Sequence, residues 1–347
     1  MALDPVPWFV GGGAQHSAES ARNLAWTATQ GRTGIATPDD LEVSQTSTAS
    51  GAVYIAPGGA AIESTHVGAA QQSYMIRNPS RYTLSVPANT SDSAVTRYVI
   101  ADVVDPQYAG NPPANVAEGP YTFFRVVNSL NVGRPFVHLA TLRIPGNTSV
   151  VTNSMITDAR QLLNPRRQEY VFARPRVASD DSSQNLLKAR ISSGGEFFPG
   201  GGGSPNEFQV PVPEWAELMI VEADWISVRY QGGKSSWGNY WMEYGTEYRS
   251  NSWPGFANNK HQYEFATQDF SWDQAENSAT YRTNWRLMDT RTVPNKIKGK
   301  NTTFVFKAAV SNSSNAQTGV ASMDRVSGLG CRLTFIESPR SNWQGAN

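Results

Sequence analysis

From Ala52 onward the chain is written in short runs whose apolar residues fall on every second position. Phe304, Phe306, Ala308 and Val310 alternate in this way, as do Cys331, Leu333 and Phe335. A period of two places such residues on one face of a β-strand. Residues 98–104 form an almost unbroken apolar run, the pattern of a strand covered on both faces. Between the runs stand breaks such as Pro57-Gly58-Gly59, Pro87-Ala88-Asn89 and Gly232-Gly233. Proline cannot extend a strand ladder and glycine supplies positive φ, so each break is a turn. Long amphipathic helices are not found, and the fold class is therefore mainly β. Residues 17–29 can start helically but run into Gly31 and Gly34, so they are expected to end as strand or loop. Thr37-Pro38 resembles a helix start, with Thr37 as N-cap, worth about one turn.

A chain of 347 residues holds two domains with real cores. The strand runs divide it into an N-terminal β domain over residues 1–165, a polar, glycine-rich linker or neck over 166–205, and a C-terminal β-sandwich over 206–347. The linker is assigned from its polar composition and the run from Gly200 to Ser204, which reads as a flexible joint. Many short strands with such turns and no helices suggest a jelly-roll-like sandwich for the last part. Leu186, Leu187 and Ile191 stand in the neck without an obvious covering strand. They pack either at a three-fold axis or on an adjacent domain. The segment around Trp8, Phe9 and Val10 precedes three glycines, and either docks into a neighbour or lies on its own domain.

The formal net charge is zero, which gives no electrostatic case for nucleic acid or an anionic membrane. Cys331 is the only cysteine, so a cysteine-based metal site and an intrachain disulfide are excluded, and as a strand residue it reads as a small buried hydrophobe. The first residues have no basic region followed by an apolar one, so no signal peptide is expected, nor is any membrane-spanning segment. The four histidines are far apart and lack ligand spacing. No nucleophile elbow, phosphate loop or dinucleotide fingerprint occurs, and no cofactor is expected.

Three stretches carry a family resemblance: residues 40–62 (DLEVSQTSTASGAVYIAPGGAAI), 97–105 (RYVIADVVD) and 136–160 (FVHLATLRIPGNTSVVTNSMITDAR). Together they resemble the N-terminal domain of siphophage minor tail proteins, the tail-tip receptor-binding proteins of phages infecting actinobacteria. The resemblance covers about the first 165 residues. It implies a structural protein of the virion, located at the tail tip and attached through the N-terminal domain to other tail proteins. It also implies a homotrimer, with a C-terminal half that varies with the host.

Two patterns in the C-terminal half carry chemistry. Most of the ten tryptophans cluster there: Trp215, Trp225, Trp237, Trp241, Trp253, Trp272 and Trp285. Trp215, Trp225 and Trp285 are expected in the sandwich core. Between Trp237 and Phe256, Tyr240, Tyr244 and Tyr248 are added among Gly, Asn and Ser, so aromatics occupy both faces of one strand. If a strand buries one face, rings on the other meet solvent or a partner. Trp237, Tyr240, Tyr244, Tyr248 and Trp253 are therefore the candidate site for a host-surface glycan, whose pyranose C–H faces stack on such rings, or for a protein partner. The second pattern is Glu222 and Asp224, two apart on a strand and about 6.6 Å between Cα atoms. Glycoside hydrolysis uses carboxylates about 5 to 9.5 Å apart, so a tail-associated glycan hydrolase is the enzymatic alternative. A purely architectural tail subunit is the third reading. Asp269, Asp273 and Glu276 form a further acidic cluster, conceivable for calcium.

Overall fold

The computed structural model describes residues 16–179, 185–200, 207–248, 261–273 and 280–339. The chain forms two compact units, one over Met1–Pro165 and the other over Arg166–Glu337. Among the described residues no helix is long and apolar enough to cross a membrane.

The first unit opens with helix α1, Ala18–Thr29, where strand or loop was expected. The signals for the helix are local. Ser17 Oγ accepts the Ser20 N–H as an N-cap, and Glu19 sits in the first turn. Gln30 is left-handed and ends the helix, so Gly31 lies beyond it and breaks nothing. The strands are β1 (Gly34–Ile35), β2 (Val43–Gln45), β3 (Ala52–Ile55), β4 (Gly58–Glu63), β5 (Ser73–Asn78), β6 (Tyr82–Ser85), β7 (Val95–Val103), β8 (Thr122–Val127), β9 (Phe136–Ile144) and β10 (Ile156–Asp158). They make three antiparallel sheets, in the orders β1-β4-β5, β2-β3-β6 and β10-β9-β7-β8. Val53, Ile55, Ile62, Val99, Leu139 and Leu142 are fully buried in one core. The apolar run at 98–104 is β7, central in its sheet, with Val99, Ile100, Ala101 and Val103 all buried as expected. Asp102 lies buried among them, ion-paired with Arg125 at 3.0 Å and Arg134 at 2.9 Å.

Two of the stretches that carry the resemblance, 40–62 and 136–160, meet at one corner. Thr37 to Asp40 form a closed turn, with Thr37 N donating to Asp40 Oδ2. At Gly58, φ is +152°, and a Cβ there would lie 2.5 Å from the Asp40 Cα, so only glycine fits. Arg160, 2 % exposed, donates from Nε and Nη2 to Asp158 and from Nη1 to the carbonyls of Pro38 and Asp40. One buried guanidinium thus joins the segment near the end of the unit to the turn at residues 37–40.

The second unit holds β11 (Arg167–Arg174), β12 (Asn185–Leu186), β13 (Glu196–Phe197), β14 (Glu207–Pro211), β15 (Leu218–Gln231), β16 (Ser236–Tyr248), β17 (His261–Glu264), β18 (Gln268–Trp272), β19 (Thr280–Thr292), β20 (Asn301–Val310), β21 (Ala321–Met323) and β22 (Gly328–Ile336). One sheet runs β11-β22-β15-β19, with β21 and β12 continuing beside β15. The other runs from β13 and β14 on one edge of β20, across β16, to β17 and β18. The named pairs are antiparallel, and successive strands exchange sheets in the winding of a jelly roll. The expected jelly-roll-like sandwich is therefore present, and its core includes Trp225, Phe304, Phe306, Leu333 and Phe335.

The expected neck is instead part of this sandwich. β11 pairs with β22 from Arg167↔Ile336 to Arg174↔Leu329. β13 and β14 lie on either side of the glycine run and both pair with β20. Residues 201–206 lie outside the described residues, but their flanks belong to one sheet. The second unit therefore begins at Arg166, not at residue 206. The polar composition misled because β11 points Tyr170 and Phe172 inward, while Arg167 and Glu169 face outward. Leu187 is fully buried in the core, which removes it from any three-fold axis; Leu186 and Ile191 remain exposed.

Two buried carboxylates make this unit acid-sensitive. Burial alone would raise Asp324, but hydrogen bonds from Arg282 and the Val326 N–H hold it below the usual carboxylate value. Glu337 is likewise held down by Arg166 against its burial. A carboxylate with a depressed folded-state pKa stabilises above its unfolded value and loses that contribution as pH falls through the folded one. The second unit should therefore lose melting temperature progressively as pH falls below about 4.5, the ordinary glutamate value. Thermal scans between pH 6 and 3 measure this. Glu337→Gln should flatten part of the slope; an unchanged slope would remove Glu337 from the account.

Candidate functional site

Side-chain placement along β16 decides the aromatic stretch. Tyr240 and Tyr244 are 7 % and 3 % exposed, on the face that looks into the sandwich. Tyr240 stacks on Trp285 with ring centroids 5.0 Å apart and donates its hydroxyl to the Arg286 carbonyl. Tyr244 lies between Tyr263, Phe265 and Phe304. Burial pushes both phenols above their ordinary pKa. Neither ring is available to a ligand, which corrects their assignment to a binding site. Trp237 is half-buried against the same core. The Tyr248 side chain and Trp253 lie outside the described residues. Trp225 and Trp285 are core residues, as expected, and Trp215 packs on the core and under Arg166.

The premise that only one face of the strand is covered is what fails. The opposite face of β16 carries Trp241 and Glu243, at 6 % and 1 % exposed. Trp241 Nε1 donates to Glu243, and Lys307, also buried, lies 3.9 Å from the same carboxylate and 5.0 Å from the Phe197 ring centre. Gly195 passes so close that a Cβ there would sit 2.4 Å from the Trp241 ring and 2.7 Å from the Ala308 carbonyl. The segment read as neck thus contributes to the cover of this second face. Tyr240→Phe should cost about 1 kcal/mol through the lost hydrogen bond. A urea titration reads this; no change in midpoint would mean that the hydroxyl bond contributes nothing.

Glu222 and Asp224 share the outer face of β15, as their spacing implied. Each faces an arginine across a strand pair: Arg332 Nη1 lies 3.3 Å from Glu222 and Arg286 Nε lies 2.9 Å from Asp224. Glu169 extends the row by pairing with Arg332 at 3.2 Å. This is a ladder of alternating charges across an exposed sheet, with each acid engaged by a cation on a neighbouring strand. Asp269 accepts a hydrogen bond from Asn239, and Asp273 accepts from Ser235 at 2.8 Å; Glu276 lies outside the described residues. Among the described residues no three His, Cys, Asp or Glu groups are placed to hold a metal ion. His138 is half-buried, hydrogen-bonds Thr141 at 3.2 Å and meets Tyr98 edge-on, and burial lowers its pKa. Cys331 is buried beside Met242, and desolvation pushes its thiol far up.

What sequence reasoning passed over is a basic groove in the second unit, about 580 Å³, with Lys188, Arg229 and Lys234 in its lining. These cations come from three separate segments, so no local motif announced them.

No family model matches the sequence, and no characterised protein matches it. Among solved structures, the chain resembles the infectious bursal disease virus VP2 subviral particle at 14 % identity and a TM-score of 0.25, over 95 % of this chain and 80 % of that one. The Gx strain of the same virus gives 13 % identity and a TM-score of 0.25, over 88 % and 80 %. An exo-β-1,3-galactanase from Phanerochaete chrysosporium, solved with galactose, gives 10 % identity and a TM-score of 0.15, over 84 % and 68 %. Scores this low do not establish a shared fold, and the jelly roll rests on the strand order alone.

Proposed function

We propose that the chain is a structural protein of a phage virion, one that joins the tail tip through its first unit and binds the host surface through its second. The observation that carries this reading is the second unit's strand order. It is a jelly-roll-like double sheet, an architecture used for viral shells and lectins. Fold alone does not assign function. Support also comes from the corner of the first unit, where residues 37–40, 58 and 158–160 meet, because residues that carry the resemblance to siphophage minor tail proteins are those that hold it. The engagement of Glu222 and Asp224 by arginines favours binding over glycan hydrolysis. The homotrimer and the contacts with other tail proteins follow from the same resemblance.

Gold-labelled antibody against the chain should decorate tail tips of intact virions in electron micrographs. Purified chain should adsorb to actinobacterial host cells without releasing reducing sugar. Decoration of the capsid or tail tube instead, or release of sugar, would overturn the reading. For the trimer, Ile191→Ser is the appropriate variant, since its side chain is exposed and lies outside the basic groove. Light scattering at micromolar concentration should show a trimer for the native chain and a smaller species for the variant. A native monomer would remove the trimer from the proposal.

A further inference from the structure

The groove of the second unit is built by four segments that meet at one end of the sandwich. Lys188 follows β12, Arg229 and Gln231 close β15, Lys234 stands in the turn to β16, and Thr318 lies in the loop before β21. Backbone bonds fix these segments to one another. Gly319 N donates to the Leu187 carbonyl at 2.7 Å, Gln231 N to Val320 at 3.0 Å, and Gln317 N to Ser235 at 3.0 Å. The groove is thus a rigid feature rather than a chance meeting of side chains.

Two of its cations have no carboxylate partner among the described residues. Elsewhere in this unit Arg282, Arg286, Arg291, Lys298 and Arg332 each have a carboxylate partner. Lys188 and Lys234 form no ion pair among the described residues. The Glu196 carboxylate is occupied by the backbone N–H groups of Lys188 and Ala189, and Asp273 accepts from Ser235. Arg229 donates to Thr280 and acts electrostatically on Asp324, which Arg282 already holds. Among the described residues, positive charge is thus left without a carboxylate partner at this recess.

We propose that this groove binds an anionic glycan, a polymer carrying phosphodiester or carboxylate groups at intervals along a hydroxyl-rich chain. Lysine ammonium groups meet the anions as point charges, and the Gln231 amide and Thr318 hydroxyl suit sugar hydroxyls. A nucleic acid is disfavoured because, among the described residues, no aromatic ring lines the groove for bases to stack upon. The inference rests on the reading that the second unit binds the host surface, and names the chemistry it binds there. Copies of the chain arrayed on a tail would multiply a weak single-site affinity.

The test uses the full chain with four probes: poly(glycerol phosphate), polygalacturonate, neutral dextran and an oligothymidylate. The native chain should bind one of the two polyanions, with affinity falling as salt rises. Which of the two binds tells phosphodiester from carboxylate recognition. The double variant Lys188→Glu with Lys234→Glu should bind it about tenfold more weakly or worse, since each exposed contact is turned from attractive to repulsive. Its melting temperature should not change, because neither side chain holds a structural partner. Equal binding by native chain and variant, equal binding of dextran, no binding of either polyanion, or tighter binding of the oligothymidylate would each overturn the proposal. Host-cell adsorption separates this from the broader reading. Undiminished adsorption by the variant overturns the groove and leaves the receptor role standing, whereas polyanion binding without adsorption supports the groove and overturns that role.

Discussion

A chain shortened to begin at Glu207 should fail to fold, whereas one spanning Arg166–Glu337 should melt cooperatively. The shorter chain lacks β11, which leaves the full length of β22 as an open edge with unpaired N–H and C=O groups. It also lacks Phe172, stacked on Phe208 at 4.5 Å, and the buried side chains of Leu187 and Phe198. Removing Phe198 takes away the carbonyl that accepts Trp225 Nε1 at 2.9 Å, leaving a buried donor without its partner. Each lost core side chain is worth about 2–5 kcal/mol, and a whole domain is stable by only about 5–15 kcal/mol. Two such losses together with an opened edge are of the same order as that margin. Circular dichroism with thermal melting of the two shortened chains decides the matter. The same geometry predicts the result of proteolysis between residues 200 and 207. The two pieces should stay associated and co-elute in size exclusion, separating only in denaturant. A cooperative melt of the chain from Glu207, or free separation of the pieces, would mean that the neck is a true linker and that β11 is dispensable.

The fold class was legible because alternation is a direct physical consequence of strand geometry. β9 coincides with its apolar run, and β15, β20 and β22 fall within a few residues of theirs. What escaped were elements whose signal is weak in composition. β11 has only Tyr170 and Phe172 facing in, and its charged outward residues dominate a polar neighbourhood. β12 and β13 are two residues each, too short for any period. Helix α1 was hidden by the glycines that follow it, although its cap, Ser17, was present in the sequence. The candidate site failed for a different reason. Counting aromatics on both faces of β16 was sound, but deducing exposure required that nothing cover the second face. That cover includes residues 195–197, nearly fifty positions upstream, and no local pattern links them to Trp241. The basic groove was illegible for the same reason, since its lysines meet only once the sheet is built.

Arg160→Ala should destabilise the first unit by about 3–5 kcal/mol, the usual cost of removing one partner from a buried ion pair. The side chain is 2 % exposed, and its loss takes the guanidinium from the Asp158 carboxylate, which keeps the Arg160 backbone N–H and is itself nearly buried, at 10 % side-chain exposure. It also strands the carbonyls of Pro38 and Asp40, which accept from Nη1 at 2.9 and 2.7 Å. Those carbonyls belong to the turn that packs on Gly58, where a substituent on Cα has no room. The turn therefore cannot relax toward Gly58 to recover other partners, and the full penalty should be expressed. For a unit of this size the shift is roughly 10 °C or more in melting temperature. Arg160→Lys should recover only part of it, because an ammonium restores charge opposite Asp158 but cannot hold a bidentate carboxylate and two carbonyls in one planar geometry. Calorimetry of the full chain with the two variants provides the measurement. The transition of the first unit should move and that of the second, to which Arg160 does not belong, should stay. A shift below about 2 °C for Arg160→Ala, which corresponds to less than about 1 kcal/mol, would show that water replaces the guanidinium at this corner. The closing arginine of the tail-protein resemblance would then have no structural explanation.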